Sequence, residues 1–389
     1  MPAGRRGENP RGKGAVYTKP DYERAREEAG FSWSVSASYL AYLRLTDTPI
    51  RRFFLEPDVC TDVFLRGRKA VHERFGEGVR QAGVSTPPIS YGHVNTLGSE
   101  LIFPEDGEVG QTRVYDSLER GIAALQEPVD FPSAGMTRFY LDFQNQLQRA
   151  FPDEPVAFAF RSQGPITTAY ALRGHDIFTD VYDDGAGFAA FLALATDSII
   201  AYREFLCDVT HVPRTKSDYA FLADDIASLF SPSMWPGFVV PSWRRFFEGI
   251  TTGVRDAHVE NLRAEHLRFL EEVGLSRYDP SISPQLNPKV ISGNCRVPFD
   301  WLLGSFHYRD LGCDDIRDWV FQAVADGASG VGTHLEAVNC AEEDVPKVNA
   351  FTDACKHAAT MLEHGASRRD VGREVSPAGR QRFWDHWPR

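Results

Sequence analysis

Short apolar segments alternate with longer segments of helical spacing along most of this chain. Residues 156–160 form a continuous apolar run, which is typical of a strand buried on both faces of a sheet. Residues 134–150 place apolar side chains at alternating steps of three and four, the spacing of one helix face. Further segments of each kind follow one another, so the sequence predicts a parallel α/β architecture.

The same patterns predict the other elements. Strands are expected up to Tyr91 and at 217–225, 276–280, 289–294 and 330–336. Helices are expected at 57–78, 115–126, 186–209, 261–273, 314–325 and 345–363, and one more is expected to begin at Ser231 and Pro232. No GxGxxG motif occurs at a turn from strand to helix, so a dinucleotide-binding fold is not supported.

Polar side chains follow the apolar strand segments, which is where a (β/α)8 TIM-type barrel keeps its active site. We expect catalytic roles for Asp224, Asp225 and Asp279, and substrate-binding roles for Tyr91, His93, Gln163 and Asn294. Structural alternatives stay open. One of the paired aspartates could only favour a helix amino terminus, Gln163 could only satisfy a turn, and His93 could be an ordinary loop histidine.

Composition bounds the class of protein. The 389 residues suffice for one large barrel or two ordinary domains, and 42% hydrophobic with 25% charged residues is the balance of a soluble globular protein. A net charge of −12 gives no basic excess to attract nucleic acid or anionic membrane. No bilayer-spanning run or signal peptide is expected, and six scattered cysteines indicate reduced thiols in a cytoplasm.

His258 and Glu260 are two residues apart, so in a strand both side chains would point to the same face. An imidazole and a carboxylate on one face, with the thiolate of Cys340 downstream, would make a three-ligand zinc site with an open fourth position. The alternatives are a surface pair or a core histidine. His334 and Cys295 are rival ligands, and Asp279 could act as a base or as a partner that orients His258.

Several segments together resemble the uroporphyrinogen decarboxylase superfamily. This group also holds zinc-dependent methyltransferases that serve corrinoid proteins and coenzyme M, and it is related to cobalamin-independent methionine synthase. The resemblance covers about residues 80–360 and lies in QGPITTA at 163–169 with LRG at 172–174, LADD at 222–225 leading to SP at 231–232, VVP at 239–241, HVENL at 258–262, ISGN at 291–294, and the Cys340 segment running into VPKVN at 345–349.

The resemblance implies an N-terminal arm with helices at 1–80, a (β/α)8 barrel at 81–365 and a C-terminal tail at 366–389. In the family's methyltransferases zinc is held by His-x-Cys and a distant Cys, and His258, Glu260 and Cys340 stand at these positions. Glutamate in place of cysteine would leave the metal more Lewis acidic, which disfavours thiol alkylation. The chain lacks the MRQAGR run of the true decarboxylases, so tetrapyrrole decarboxylation is disfavoured.

The resemblance therefore favours a zinc-dependent methyltransferase that acts on a small methylated compound. Since the chain has no Asp-x-His-x-x-Gly motif, a methyl-corrinoid would come from a partner protein, and a homodimer is compatible with an acidic barrel of this size. A metal-independent decarboxylase or lyase is the alternative, with Arg161 or Arg173 holding a substrate carboxylate and Asp224 or Asp225 as acid. A binding barrel without turnover is a third hypothesis.

Overall fold

A computed structural model describes residues 17–212 and 217–383 of the chain. The strands are β1 Ser32–Ala37, β2 Leu101–Ile102, β3 Gly110–Gln111, β4 Ser217–Ala223, β5 Thr251–His258, β6 Arg277–Asp279, β7 Asp300–Leu303 and β8 Gly330–Leu335. Residues 1–16 of the predicted N-terminal arm lie outside the described residues, as do residues 384–389 of the predicted C-terminal tail.

Helices connect and surround the strands. They are α1 Ala25–Ala29, α2 Tyr39–Thr46, α3 Ile50–Leu55, α4 Pro57–Phe75, α5 Gly92–Thr96, α6 Leu118–Leu125, α7 Thr137–Ala150, α8 Pro165–Arg173, α9 Ile177–Asp183, α10 Gly185–Val209, α11 Val240–Ile250, α12 Leu267–Val273, α13 Pro288–Asn294, α14 Cys313–Ala325, α15 Val345–Glu363, α16 Arg368–Val371 and α17 Pro377–Phe383.

Six of the strands form two parallel three-stranded sheets. One has the order β1-β8-β7 and the other the order β4-β5-β6, whereas β2 and β3 make a small antiparallel pair. The register of β5 and β6 aligns His258 with Asp279, so two polar side chains meet at the carboxyl end of this sheet. Parallel strands joined by helices confirm the predicted α/β class.

Backbone hydrogen bonds extend the parallel pairing beyond the regular strands. The Arg80 amide donates to the Val35 carbonyl of β1 at 2.9 Å. Residues 85 and 89 then bridge in parallel to residues 157 and 160, which lie in the apolar run expected to be a strand. The Gly164 amide donates to the Ala223 carbonyl at the end of β4 at 2.6 Å. Irregular parallel segments therefore lie beside both sheets.

The two faces of the β4-β5-β6 sheet differ in burial. Ala220 and Leu222 of β4 are 2% and 0% exposed on the face where α11 packs. Phe221, which points the other way, is 41% exposed, and Val254 of β5 is 40% exposed. His258 is four residues after Val254 and shares its face. An accessible face with an aromatic wall therefore leads to His258.

α10 is long and apolar enough to cross a membrane by length and composition, which corrects the expectation that no such run exists. Its most apolar window has a mean hydropathy of 1.4 and is 39% buried within the structure. Phe188, Phe191 and Ile199 are fully buried, and the helix packs against α6, α8 and α11. The core helix of a soluble protein passes the same test.

Two predicted elements are wrong, and the strands β1, β2, β3 and β7 were not predicted. Residues 289–294 are not a strand but lie in α13, because the Asn287 side chain caps the helix by accepting from the Val290 amide at 2.8 Å and Pro288 begins it. No helix begins at Ser231; α11 begins at Val240 after a π-helical turn at 235–239. β1 falls within the range 1–80 assigned to arm and helices, yet it pairs with β8. The division into domains stays a prediction.

Candidate functional site

The site is built around His258, the last residue of β5. Its Nδ1 lies 3.0 Å from Oδ2 of Asp279, the last residue of β6, so the carboxylate accepts a hydrogen bond from the imidazole. Its Nε2 lies 3.7 Å from Asp225 Oδ1 and 3.9 Å from Glu260 Oε1, beyond hydrogen-bond distance of both. The Nε2–H is thus oriented by Asp279 and free to donate to a bound molecule.

His258 and Asp279 form an ion pair at neutral pH. Burial by itself lowers the pKa of His258, but the hydrogen bond and charge of Asp279 and the charges of Asp225 and Glu260 raise it to about 9. Burial likewise raises the pKa of Asp279, but the hydrogen bond and charge of His258 hold it below its usual value. An imidazolium that persists above neutral pH is a proton donor.

The paired aspartates have different roles. Asp224 is fully buried, and its carboxylate accepts hydrogen bonds from the Thr167 amide at 2.6 Å and from Trp243 Nε1 at 2.7 Å. Burial raises the pKa of Asp224 to about 6, although these hydrogen bonds oppose the rise. Asp224 therefore anchors the amino terminus of α8 to β4. Asp225 instead faces His258, and its Oδ1 accepts from the Glu260 amide at 2.9 Å.

Two tyrosines reach the same region from other parts of the chain. Burial raises the pKa of Tyr91, and the nearby charges of Glu108 and Asp225 raise it further. Burial also raises the pKa of Tyr39, with the charges of Glu108 and Glu336 adding to the rise, and the Tyr39 hydroxyl donates to Glu108 Oε1 at 3.2 Å. Tyr91 and Tyr39 therefore lie on the same side of the molecule as Asp225 and Glu336.

β8 contributes His334 and, directly after its end, Glu336. The Nδ1 of His334 lies 2.7 Å from Ser36 Oγ of the adjacent β1, and Ser305 Oγ donates to Glu336 Oε2 at 2.6 Å. Burial lowers the pKa of His334, while the charges of Glu336 and Asp279 oppose this. We name the residues connected by these interactions the strand-end ring: Tyr39, Tyr91, Glu108, Asp225, His258, Glu260, Asp279, His334 and Glu336.

Two of the residues predicted to bind substrate lie elsewhere. His93 is fully buried, with its Nε2 2.9 Å from Ser198 Oγ, and burial lowers its pKa to about 3. Asn294 is exposed at the end of α13, six residues before β7 begins, and its side-chain amide donates to the Val290 carbonyl at 2.9 Å. Gln163 has a buried Oε1 that makes no hydrogen bond within the described residues.

Arg161 and Arg173, which the lyase hypothesis assigns to a substrate carboxylate, differ in exposure to solvent. The side chain of Arg173 is 8% exposed and pairs with Asp176 and Asp180. It is therefore committed to the segment that follows α8 and is not free to hold a substrate carboxylate. Arg161 is exposed where the irregular parallel segment ends.

The structure does not bring the predicted zinc ligands His258, Glu260 and Cys340 together as a ligand set. The Cys340 side chain is buried, and its Sγ lies 3.9 Å from the Ala337 carbonyl oxygen. Within residues 17–212 and 217–383, no group of three or more His, Cys, Asp or Glu side chains is placed to hold a metal ion. His258 and Glu260 instead belong to the strand-end ring.

Sequence reasoning missed three members of the ring. Glu336 directly follows β8 and could have been found by the rule that selected Asp279. Tyr39 follows β1, which was not recognised as a strand, and Glu108 lies in the connection after β2, which no periodic pattern marks. Two surface cavities of about 410 and 540 Å³ lie beside Asp58 and Arg245 and are not lined by residues of the ring.

Comparisons with known proteins show that this chain shares its fold with a solved structure. No family model matches the chain, and no curated protein is similar to it in sequence. The solved structure of a methyltransferase from Methanosarcina mazei is similar, with a TM-score of 0.62 and 19% sequence identity over 86% of this chain and 97% of that chain. At this identity the likeness establishes a methyltransferase-like fold, in which the strand-end ring is the candidate site.

Proposed function

We propose that this protein is a methyltransferase whose active site is the strand-end ring. Two findings support the proposal together. The fold is shared over most of its length with a protein named as a methyltransferase, and His258 presents an oriented, protonated Nε2 at the carboxyl end of β5. The observation that carries the proposal is the 3.0 Å contact of His258 Nδ1 with Asp279, because it orients Nε2 at the strand ends as a group that can donate a proton.

We further propose that the parallel segments close into a (β/α)8 barrel. β8 pairs with β1, Arg80 bonds to β1, residues 85 and 89 bridge to 157 and 160, and Gly164 bonds to the end of β4. On the other side, β6 bridges to residue 299, which directly precedes β7. Interactions of Tyr39, Tyr91 and Asp225 around the strand ends also support such closure. In barrels of this kind the active site lies at that end.

The role of His258 as a proton donor follows from where the electron pairs move in methyl transfer. The acceptor's electron pair forms the new bond to the methyl carbon while the bond from that carbon to its original heteroatom breaks. The heteroatom keeps the bonding pair and becomes a base, and His258 Nε2–H gives it a proton. Asp279 holds the ring in place and stabilises the imidazolium, and the ring is protonated again from solvent.

The structure says less about the acceptor of the methyl group than about its donor. A corrinoid carried by a partner protein and a small thiol are the acceptors that we would assay first. No step is assigned to zinc, because Cys340 does not join His258 and Glu260 in a ligand set.

The test is methyl transfer by the unaltered protein and by His258→Gln, with His72→Gln as a matched control. His72 is exposed on α4, so its replacement should leave the rate unchanged. We expect His258→Gln to lower the rate by about 10²- to 10⁴-fold, the usual contribution of a general acid. Equal rates in both variants would contradict the role of His258, and a lack of transfer with every donor and acceptor would contradict the proposed function.

A further inference from the structure

The charges of the strand-end ring are unbalanced. Carboxylates of Asp225, Glu260, Asp279 and Glu336 approach the site from β4, β5, β6 and β8, and Glu108 joins them from the connection after β2. The opposing positive charges are the His258 imidazolium, Arg80, whose charge reaches His334, and Arg203, whose guanidinium donates to the Phe221 carbonyl at 3.4 Å. Arg277 also lies on this sheet face, but its guanidinium is paired with Asp300. The ring therefore has an excess of negative charge.

Aromatic side chains accompany these carboxylates. Phe221 is 41% exposed on the face that leads to His258, with the two ring centroids 6.5 Å apart. Tyr91 lies near Asp225, and Tyr39 lies near Glu336. Val254 is also exposed on this face, and neighbouring exposed apolar side chains mark ligand-binding surfaces more than a single one does. Aromatic faces beside carboxylates recognise methylated cations through cation–π attraction and charge.

We propose that the methyl donor of this site is a small onium cation, a quaternary ammonium or a sulfonium, held between Phe221 and the carboxylates of the strand-end ring. The inference rests on the proposed function for its methyl-transfer step. In that step the carbon–nitrogen or carbon–sulfur bond breaks, its electron pair stays on the heteroatom, and the acceptor's pair forms the new bond to carbon.

The two classes of donor leave different products. Loss of the methyl group converts a sulfonium into a neutral thioether, which no longer attracts the carboxylates and leaves without a proton. A quaternary ammonium becomes an amine, which accepts the proton of His258 and leaves as an ammonium. The two classes of donor therefore differ in whether turnover requires the imidazolium.

Binding can be tested on the full chain without any acceptor. Calorimetric titration with choline is compared with titration with 3,3-dimethylbutan-1-ol, which has the same shape but a carbon in place of the charged nitrogen. We expect choline to bind more tightly by on the order of tenfold or more, and added salt to weaken it. Equal binding of choline and the neutral alcohol would overturn the inference. It would also be overturned if choline, tetramethylammonium and trimethylsulfonium all failed to bind. Comparing these last two cations distinguishes the nitrogen class from the sulfur class.

Variants locate the cation. Phe221→Leu should weaken choline binding several-fold, whereas Phe139→Leu, at a 37% exposed position on α7, should not. If Phe221→Leu fails to fold, the choline comparison on the unaltered protein still decides. Transfer from a neutral methyl donor without onium binding would overturn this inference and keep the proposed function. Onium binding without transfer from any donor would support the cation site and contradict methyl transfer.

Discussion

Replacing Asp279 by Asn should lower the pKa of His258. Asp279 supplies the 3.0 Å hydrogen bond and the nearest charge, and these outweigh burial in raising that pKa to about 9 from its usual 6.5. A hydrogen bond to a charged partner contributes about 1.5–3 kcal/mol, and one pKa unit corresponds to about 1.4 kcal/mol. Because the Asp279 side chain is 40% exposed, the lower part of this range applies. We therefore expect a His258 pKa of about 7–8 in Asp279→Asn.

Proton NMR titration of the imidazole resonances measures this directly, with the His258 signal identified by its loss in His258→Gln. Asp197→Asn is the control, because Asp197 pairs with Arg245 on the surface and should not alter the titration. Since the folded pKa is raised, the contribution of His258 to stability is present below pH 6.5 and is lost as the pH rises through about 9. An unchanged titration near pH 9 in Asp279→Asn would refute the reasoning.

Three further changes probe the rest of the structure. Asp224→Ala should lower the free energy of unfolding by about 2–4 kcal/mol in urea titrations, because it leaves buried donors unpaired, whereas Asp225→Ala should affect activity more than stability. Cys340→Ala should retain methyl transfer in a rate assay. A loss of activity in a variant that still folds would instead support the predicted zinc site of His258, Glu260 and Cys340. Gly253→Ala should lower the free energy of unfolding by about 1–3 kcal/mol or more, because a Cβ at this position would lie 1.9 Å from a backbone oxygen. Gly78→Ala is the control, since a Cβ there meets nothing within 4 Å. Equal stability of the two variants would contradict the packing around Gly253.

Sequence periodicity predicted the elements with strong local signals. α4 begins at Pro57, and α15 spans Val345–Glu363, the range expected from its apolar spacing. β1 was missed because serines alternate with apolar residues in Ser32–Ala37, so no continuous apolar run marks it. This alternation places Ser36 on the same face as its register partner His334. The strand thus has a polar face toward the site, which a search for buried strands overlooks.

Spacing predicted which residues could carry chemistry but not how the loops arrange them. His258 and Asp279 were both selected, and the strand register brings them together. Cys340 lies in a loop whose course depends on Asn339, which accepts from the Glu336 amide at 2.7 Å and donates to the His334 carbonyl at 3.0 Å. These bonds shape the turn after β8, and the long-range hydrogen bond from Ser305 holds Glu336 toward the ring. The spacing of residues in the sequence does not encode that contact.

The most direct test of the account is the rate of methyl transfer between pH 6 and pH 10, followed with a ¹³C-labelled quaternary ammonium donor, whose amine product accepts a proton. If the His258 imidazolium donates the proton, the rate should stay high through neutral pH and fall as the pH rises through about 9. In Asp279→Asn the fall should begin at lower pH. A rate that rises through pH 9, or a profile that is identical in Asp279→Asn, would contradict the assignment of His258 as the proton donor.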